Sequence, residues 1–223
     1  ASTSDARHRR GELGMTRAWH PVALAGLLAA APVAAVEYMG VEAAQKLAFP
    51  DATSFAPVAL ALDAEARAKL AAVARPPGVR DPKVWRALAG NRLLGSFFVD
   101  AVIGKQDYIV YALALDPQGR VLRLEVLEYR ETHGWEIRNE RWRAQFAGKS
   151  AAAAVQVGAD IANISGATLS CRHVTDGVRR LLALHDGEGG VGRLPIGVHR
   201  VLLRVGETGI GEDRHDVKCY PFR

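Results

Sequence analysis

The sequence predicts an α+β fold in which an antiparallel, twisted sheet packs against helices. Residues 93–131 contain three successive strand-like runs, two of them joined by a tight turn, and apolar stripes at helical spacing lie on both sides of them in the chain. The chain has 223 residues, of which 49% are apolar and 24% are charged. That size and composition favour one globular domain with extensions.

The three expected strands are LLGSFFVDAVIG, DYIVYALALD and VLRLEVLEYRE. Between the second and third runs, Pro117 and Gly119 in DPQGR favour a tight hairpin. The third run alternates apolar and charged residues, which are Leu122, Arg123, Leu124, Glu125 and Val126. This alternation predicts an antiparallel meander with one buried face.

Four helices are expected. The first, in VEAAQKLA, is ended by Pro50, and the second, in DAEARAKLAAVA, has Asp63 as its N-cap. The third, ERWRAQFAG, has Asn139 as its N-cap and places Trp142 and Phe146 on one face. A fourth follows Thr168, and its apolar stripe is formed by Val174, Val178, Leu181 and Leu182.

Residues 1–35 resemble a leader followed by a secretory signal peptide. Met15 is the expected start, Arg17 is the basic region, and residues 33–35 form a plausible cleavage site. The apolar run of about 15 residues is shorter than the roughly 20 needed to cross a bilayer. We therefore expect an extracytoplasmic, periplasmic protein, anchored to the membrane if the signal is uncleaved. A buried alanine-rich helix is the alternative.

The remaining chain divides into an N-terminal helical extension at 36–90, a main domain at 91–186 and a C-terminal tail of unclear role at 187–223. The formal charge is +5, and residues 1–35 hold four Arg against Asp5 and Glu12, so the rest carries +3. This modest charge does not favour nucleic-acid binding. The histidines lack metal-ligand spacing, so no metal site is expected, and Cys171 and Cys219 match no haem or iron–sulfur motif.

The chain lacks a P-loop, a dinucleotide fingerprint and a nucleophile elbow. Its most informative segment is Ser165-Gly166-Ala167-Thr168, which stands directly before the fourth helix. Small residues before a helix start let the backbone approach an anion, and the helix N-terminus favours a phosphate. The alternative is structural, with the hydroxyl of Thr168 or Ser170 capping the helix.

The segment ISGATLSCRHVTDGV resembles the flavinylation motif of the FMN-binding domain family, which includes FMN-carrying subunits of the sodium-translocating NADH:quinone reductase and the Rnf complex. The resemblance covers roughly residues 95 to 186 and implies an FMN-binding-domain-like fold. It implies that Thr168 is joined to FMN through a phosphoester made by a flavin transferase. Ser165, Gly166, Ala167, Leu169 and Ser170 are then the other expected binding residues of this segment.

A second segment, ETHGW, resembles the family's Glu-Thr-x-Gly loop, which lies close to the flavin. The resemblance therefore implies that Glu131, Thr132, Gly134 and Trp135 are neighbours of the ring. Family members often have an Asp three residues before the first Ser or Thr of the motif, where this chain has Ala162. The nearest upstream carboxylate is Asp160.

The resemblance implies an exported flavoprotein that transfers electrons between redox partner proteins, which we expect to be membrane-bound. No substrate pocket or catalytic residue is evident, so an electron-transfer component is favoured over a stand-alone enzyme. Two alternatives are a flavin-carrying regulatory or sensor domain and an exported binding module without flavin.

Overall fold

The computed structural model describes residues 36–73, 80–131, 133–187, 190–193 and 200–203. The expected signal segment, Thr132 and Cys219 lie outside these residues. The strands are β1 (Val36–Glu37), β2 (Ser54–Leu62), β3 (Lys83–Ala89), β4 (Arg92–Ile103), β5 (Tyr108–Leu115), β6 (Val121–Tyr129) and β7 (Arg200–Leu203). The α-helices are α1 (Val41–Ala48), α2 (Ala64–Val73), α3 (Glu140–Arg143) and α4 (Thr168–Asp186).

All seven strands belong to one sheet, in the order β1-β6-β5-β4-β3-β2-β7. Neighbouring strands are antiparallel except β2 and β7, which pair in parallel at one edge. The expected meander of β4, β5 and β6 forms the middle of this sheet. The α+β prediction is confirmed.

The prediction that the meander has only one buried face is wrong. Phe98, Tyr111 and Leu113 belong to the core on the α4 side, whereas Phe97 and Ala112 belong to a second core. That second core also contains Ala44 and Phe49, at α1 and its C-terminal end. Covered on both faces, β4 and β5 have nearly continuous apolar runs.

Irregular pairing of β6 with β5 explains why the alternation of apolar and charged residues in β6 did not predict which side chains are buried. Leu115 pairs with Val121 and Ala114 with Arg123, so Leu122 is an extra residue at a bulge. Leu122 is 44% exposed as a result, while the carboxylate of Glu125 is buried and paired with Arg123 and Arg143. A single inserted residue reverses which face each later side chain occupies.

The segment 36–90 is not only a helical extension, because β2 and β3 join the same sheet as residues 91–129. Strand β2, which contains Pro57, was not predicted from the sequence. Residues 54–58 pair with β3, and among the described residues the parallel pairing of β2 with β7 runs from Ala59 to Leu62. Pro57 pairs with Trp85 of β3, and because proline is uncommon inside strands, β2 could not be expected from the sequence.

The expected N-caps of α2 and α3 are confirmed. Asp63 Oδ1 accepts from the Ala66 N–H at 2.7 Å, and Asn139 Oδ1 accepts from the Arg141 N–H at 2.9 Å. Helix α3 is shorter than expected and continues as a 3-10 turn at Ala144–Phe146. The rings of Trp142 and Phe146 still pack edge to face at 5.2 Å between centroids.

Helix α4 packs on the sheet through its predicted stripe, since Val174, Val178, Leu181 and Leu182 are all buried. Arg180, which is not part of that stripe, is also buried and pairs with the fully buried Asp100 on β4. Asp100 accepts a second hydrogen bond from the Tyr111 hydroxyl on β5 at 2.7 Å. Among the described residues, no helix combines the length and hydropathy needed to cross a membrane.

Candidate functional site

A cavity of about 640 Å³ lies at the N-terminal end of α4. Three segments line it, namely the β4–β5 hairpin, the loop after β6 and the start of α4. The lining residues are Lys105, Gln106, Glu131, His133, Gly134, Trp135, Glu136, Gly166, Ala167, Thr168, Leu169 and Ser170. The two sequence segments singled out above therefore meet in space.

Helix α4 begins at Thr168, with Ala167 as its N-cap and no side-chain cap. The predictions that Thr168 or Ser170 caps this helix are therefore wrong. Thr168 Oγ1 instead accepts from Asn163 Nδ2 at 3.1 Å, and buried Ser170 lies with its Oγ 3.3 Å from the Tyr129 hydroxyl. The N–H groups of the first helical turn thus remain available to an anion.

The turn before α4 depends on Gly166, whose φ is +85°. No heavy atom lies within 4 Å of a Cβ built there, so the glycine is required by backbone conformation and not by crowding. The Ala167 N–H donates to the Ile164 carbonyl at 3.0 Å, which closes the turn. Ser165 belongs to this turn but does not line the cavity.

The Tyr129 side chain, at the end of β6, contacts both the loop after β6 and the start of α4. Its hydroxyl donates to the His133 carbonyl at 2.5 Å, besides its contact with Ser170. Burial raises the pKa of Tyr129 above its ordinary value, and the charges of Glu131 and Glu136 act in the same direction. The phenol therefore stays protonated at neutral pH and keeps its hydrogen to donate.

Glu131 holds the β4–β5 hairpin in place. Its Oε1 accepts from the N–H groups of Gln106 at 2.6 Å and Asp107 at 2.9 Å. A Cβ on Gly104 would stand 2.5 Å from the same oxygen, which explains a glycine there. Glu131 thus lines the cavity as expected, while its carboxylate also fixes the wall that includes Lys105 and Gln106.

Two exposed apolar side chains border the cavity from different elements. Trp135 follows the β6 loop and is 56% exposed, and Leu169 lies on α4 and is 43% exposed. Large apolar surfaces beside a phosphate-favouring helix start suit a ligand with a planar ring and an anionic arm. The cavity volume lies within the range of about 300–1,000 Å³ typical of small-molecule sites.

Lys105, Gln106, His133 and Glu136 were not predicted from the sequence as part of the site. Lys105 and Gln106 come 63 and 62 positions before Thr168 at the helix start, and only the pairing of β4 with β5 brings that hairpin to the cavity. Glu136 has a buried Oε2 atom with no hydrogen-bond partner among the described residues. The only available signal for it was its position beside Trp135.

Residues 104–183 match the model of the FMN-binding domain family. The resemblance predicted from the sequence is confirmed over this segment. The chain is also 31% identical over 111 residues to a subunit of the ion-translocating oxidoreductase complex of Stutzerimonas stutzeri. That alignment covers 45% of this chain and 49% of the relative, so the chain spans about half the length of the protein it matches.

The cavity residues fit the FMN expected of such a domain. The start of α4 supplies backbone donors for the phosphate, while Trp135 and Leu169 offer apolar surface to the ring. Lys105 adds a cation to the lining of the cavity. The whole matched segment also contains β5, β6 and most of α4, the elements that position the cavity.

We expect Gly134→Ala to destabilise the protein and to reduce flavin binding. Gly134 has a φ of +86°, and an added Cβ would stand 2.7 Å from the Tyr129 hydroxyl and 3.0 Å from Ala167 Cβ. Gly158→Ala is the matched control, because its φ is +87° with nothing within 4 Å of the added atom. Chemical denaturation should show Gly134→Ala to be less stable than the control by about 1–3 kcal/mol. Equal stabilities would contradict the close packing of these two segments.

Proposed function

We propose that this chain is an exported electron-transfer flavoprotein that carries FMN covalently on Thr168 through a phosphoester. The observation that supports it best is the position of Thr168. Its hydroxyl belongs to the first residue of α4, in the lining of the cavity, and is not consumed in capping the helix. The match to the FMN-binding domain supplies the cofactor.

When bound, FMN supplies the reversible electron chemistry, and the protein supplies attachment, orientation and electrostatics. The first turn of α4 receives the phosphate, and Ser165, Gly166 and Ala167 let it come close to the backbone. Tyr129 and Glu131 fix the loop and the hairpin that form the other walls. Trp135 and Leu169 are exposed beside the cavity, so a flavin ring bound against them would be accessible for exchange of electrons with another protein.

We propose that the domain lies outside the cytoplasm and works with membrane-bound redox partners. The signal-like residues 1–35 support export, and the similarity to a subunit of an ion-translocating oxidoreductase complex supports such partners. Covalent attachment suits that location, since a reversible cofactor would be lost where free FMN is scarce. Thr132, which stands between Glu131 and Gly134 in the sequence, also belongs to the proposed flavin neighbours.

The intact mass of the purified protein tests this proposal. After production together with a flavin transferase, we expect a mass increase equal to FMN less one water, with peptide mapping placing it on the peptide that contains Thr168. Flavin fluorescence should remain with the chain on a denaturing gel. A protein of unmodified mass under these conditions would overturn the covalent attachment, and a modified peptide elsewhere would overturn the assignment to Thr168.

A further inference from the structure

The segment that leads to Thr168 is fixed by its backbone to α3 and to the 3-10 turn that follows α3. Ala162 donates its N–H to Gln145 Oε1 at 2.8 Å, and its carbonyl accepts from Trp142 Nε1 at 2.8 Å. Both backbone groups of residue 162 are therefore occupied. Such anchoring holds the following residue, Asn163, at a defined position relative to the start of α4.

Position 162, where the resemblance to the family predicts an Asp, is Ala in this chain. The nearest upstream carboxylate, Asp160, is engaged in hydrogen bonds of its own and cannot take that place. One carboxylate oxygen accepts from the Gln156 N–H at 2.7 Å, and the other accepts from Lys149 Nζ at 2.8 Å and the Val155 N–H at 3.1 Å. Burial alone raises the pKa of Asp160, but these hydrogen bonds lower it overall. The carboxylate is committed to the turn at 155–160.

Asn163 is the polar side chain that contacts the Thr168 hydroxyl. Its Nδ2 donates to Thr168 Oγ1 at 3.1 Å, while the side chain itself is exposed. Because Asn163 is the donor, the hydroxyl keeps its own hydrogen and one lone pair. The lone pair is what would attack a phosphorus atom, and the hydrogen stays accessible for a base to remove.

We propose that Asn163 is a positioning residue for flavin transfer, selecting the Thr168 side-chain conformation in which the hydroxyl is presented to the flavin donor. This inference rests on the proposed function. In the transfer step, a bond forms between Thr168 Oγ1 and a phosphorus of a flavin dinucleotide, whose phosphoanhydride bond breaks. The nucleoside monophosphate leaves, and the hydroxyl proton passes to a base on the transferase.

Steady-state flavinylation of purified, unmodified protein by a flavin transferase, with FAD as the donor, tests this role. We expect Asn163→Ala to lower kcat about five- to tenfold, as loss of one hydrogen bond would, with KM for the protein nearly unchanged. The melting temperature should stay close to that of the wild type, because the lost bond is exposed. Gln118→Ala, at an exposed turn residue of the β5–β6 hairpin, is the control and should behave as wild type.

Three outcomes would overturn the positioning role, namely an unchanged kcat, a loss that appears only as a raised KM, and a loss accompanied by a large fall in melting temperature. The second would make Asn163 a contact for the transferase, and the third would make it a structural residue. Failure of the proposed function looks different, since wild-type protein itself would then gain no flavin on Thr168. If the wild type is modified on Thr168 and Asn163→Ala is modified at the same rate, the positioning role of Asn163 is wrong and the proposed function still stands.

Discussion

Thr168→Val is expected to abolish covalent flavin attachment while leaving the fold intact. Valine keeps the β-branched shape of threonine and removes only the hydroxyl, which is the atom that would form the ester. Because Ala167 is the N-cap, the substitution removes no helix cap. The stability cost should be limited to the exposed hydrogen bond from Asn163, at most about 1 kcal/mol.

Thr175→Val provides a matched control on the same helix. Thr175 is buried, and its Oγ1 has no hydrogen-bond partner among the described residues. Removing an unpaired buried hydroxyl should leave stability unchanged or improve it, and should not affect flavin attachment. In-gel flavin fluorescence and intact mass should therefore separate the two variants completely. Retention of one covalent FMN by Thr168→Val would place the bond on another residue.

The features that the sequence predicted correctly were those set by local patterns. The caps Asp63 and Asn139 act over two or three residues, and the stripe of α4 follows helical spacing. The segment around Thr168 was identified by resemblance, and the structure places it together with Glu131, Gly134 and Trp135 at one cavity. The sequence predicted that these two segments lie close together only because both resemble motifs of the FMN-binding domain family.

The features that were missed depend on pairing between distant residues. The bulge at Leu122 is fixed by its partners on β5, and the strand that contains Pro57 is fixed by its pairing with β3. Lys105 reaches the cavity through a hairpin whose direction the sequence does not specify. The alternative in which Thr168 caps α4 is wrong because the helix already begins at Thr168, directly after Ala167, and local composition does not fix a helix boundary to the residue.

The buried ion pair beneath α4 is a further case of non-local pairing, and it leads to a large expected loss of stability in Arg180→Met. Arg180 and Asp100 are 5% and 0% exposed, and the carboxylate also accepts from Tyr111. Methionine fills much of the space but leaves the Asp100 charge buried without its cation. We expect a loss of about 3–5 kcal/mol in the free energy of unfolding, measured by chemical denaturation.

A second substitution distinguishes lost charge pairing from lost packing. In Arg180→Met combined with Asp100→Asn, the amide is neutral and its oxygen can still accept from the Tyr111 hydroxyl. The double variant should therefore recover about 2 kcal/mol or more relative to Arg180→Met alone. Arg172→Met, at an exposed site on the same helix, should change stability by no more than about 0.5 kcal/mol.

The ion pair also bears on the site, because α4 presents Thr168 at its first residue and is held to β4 and β5 through Arg180, three turns later. If the pair positions the helix, Arg180→Met should accept flavin more slowly than wild type even at temperatures where it is folded. The double variant should then recover flavinylation together with stability. Recovery of stability without recovery of flavinylation would show that Arg180 acts on the site by a route other than anchoring α4 to the sheet.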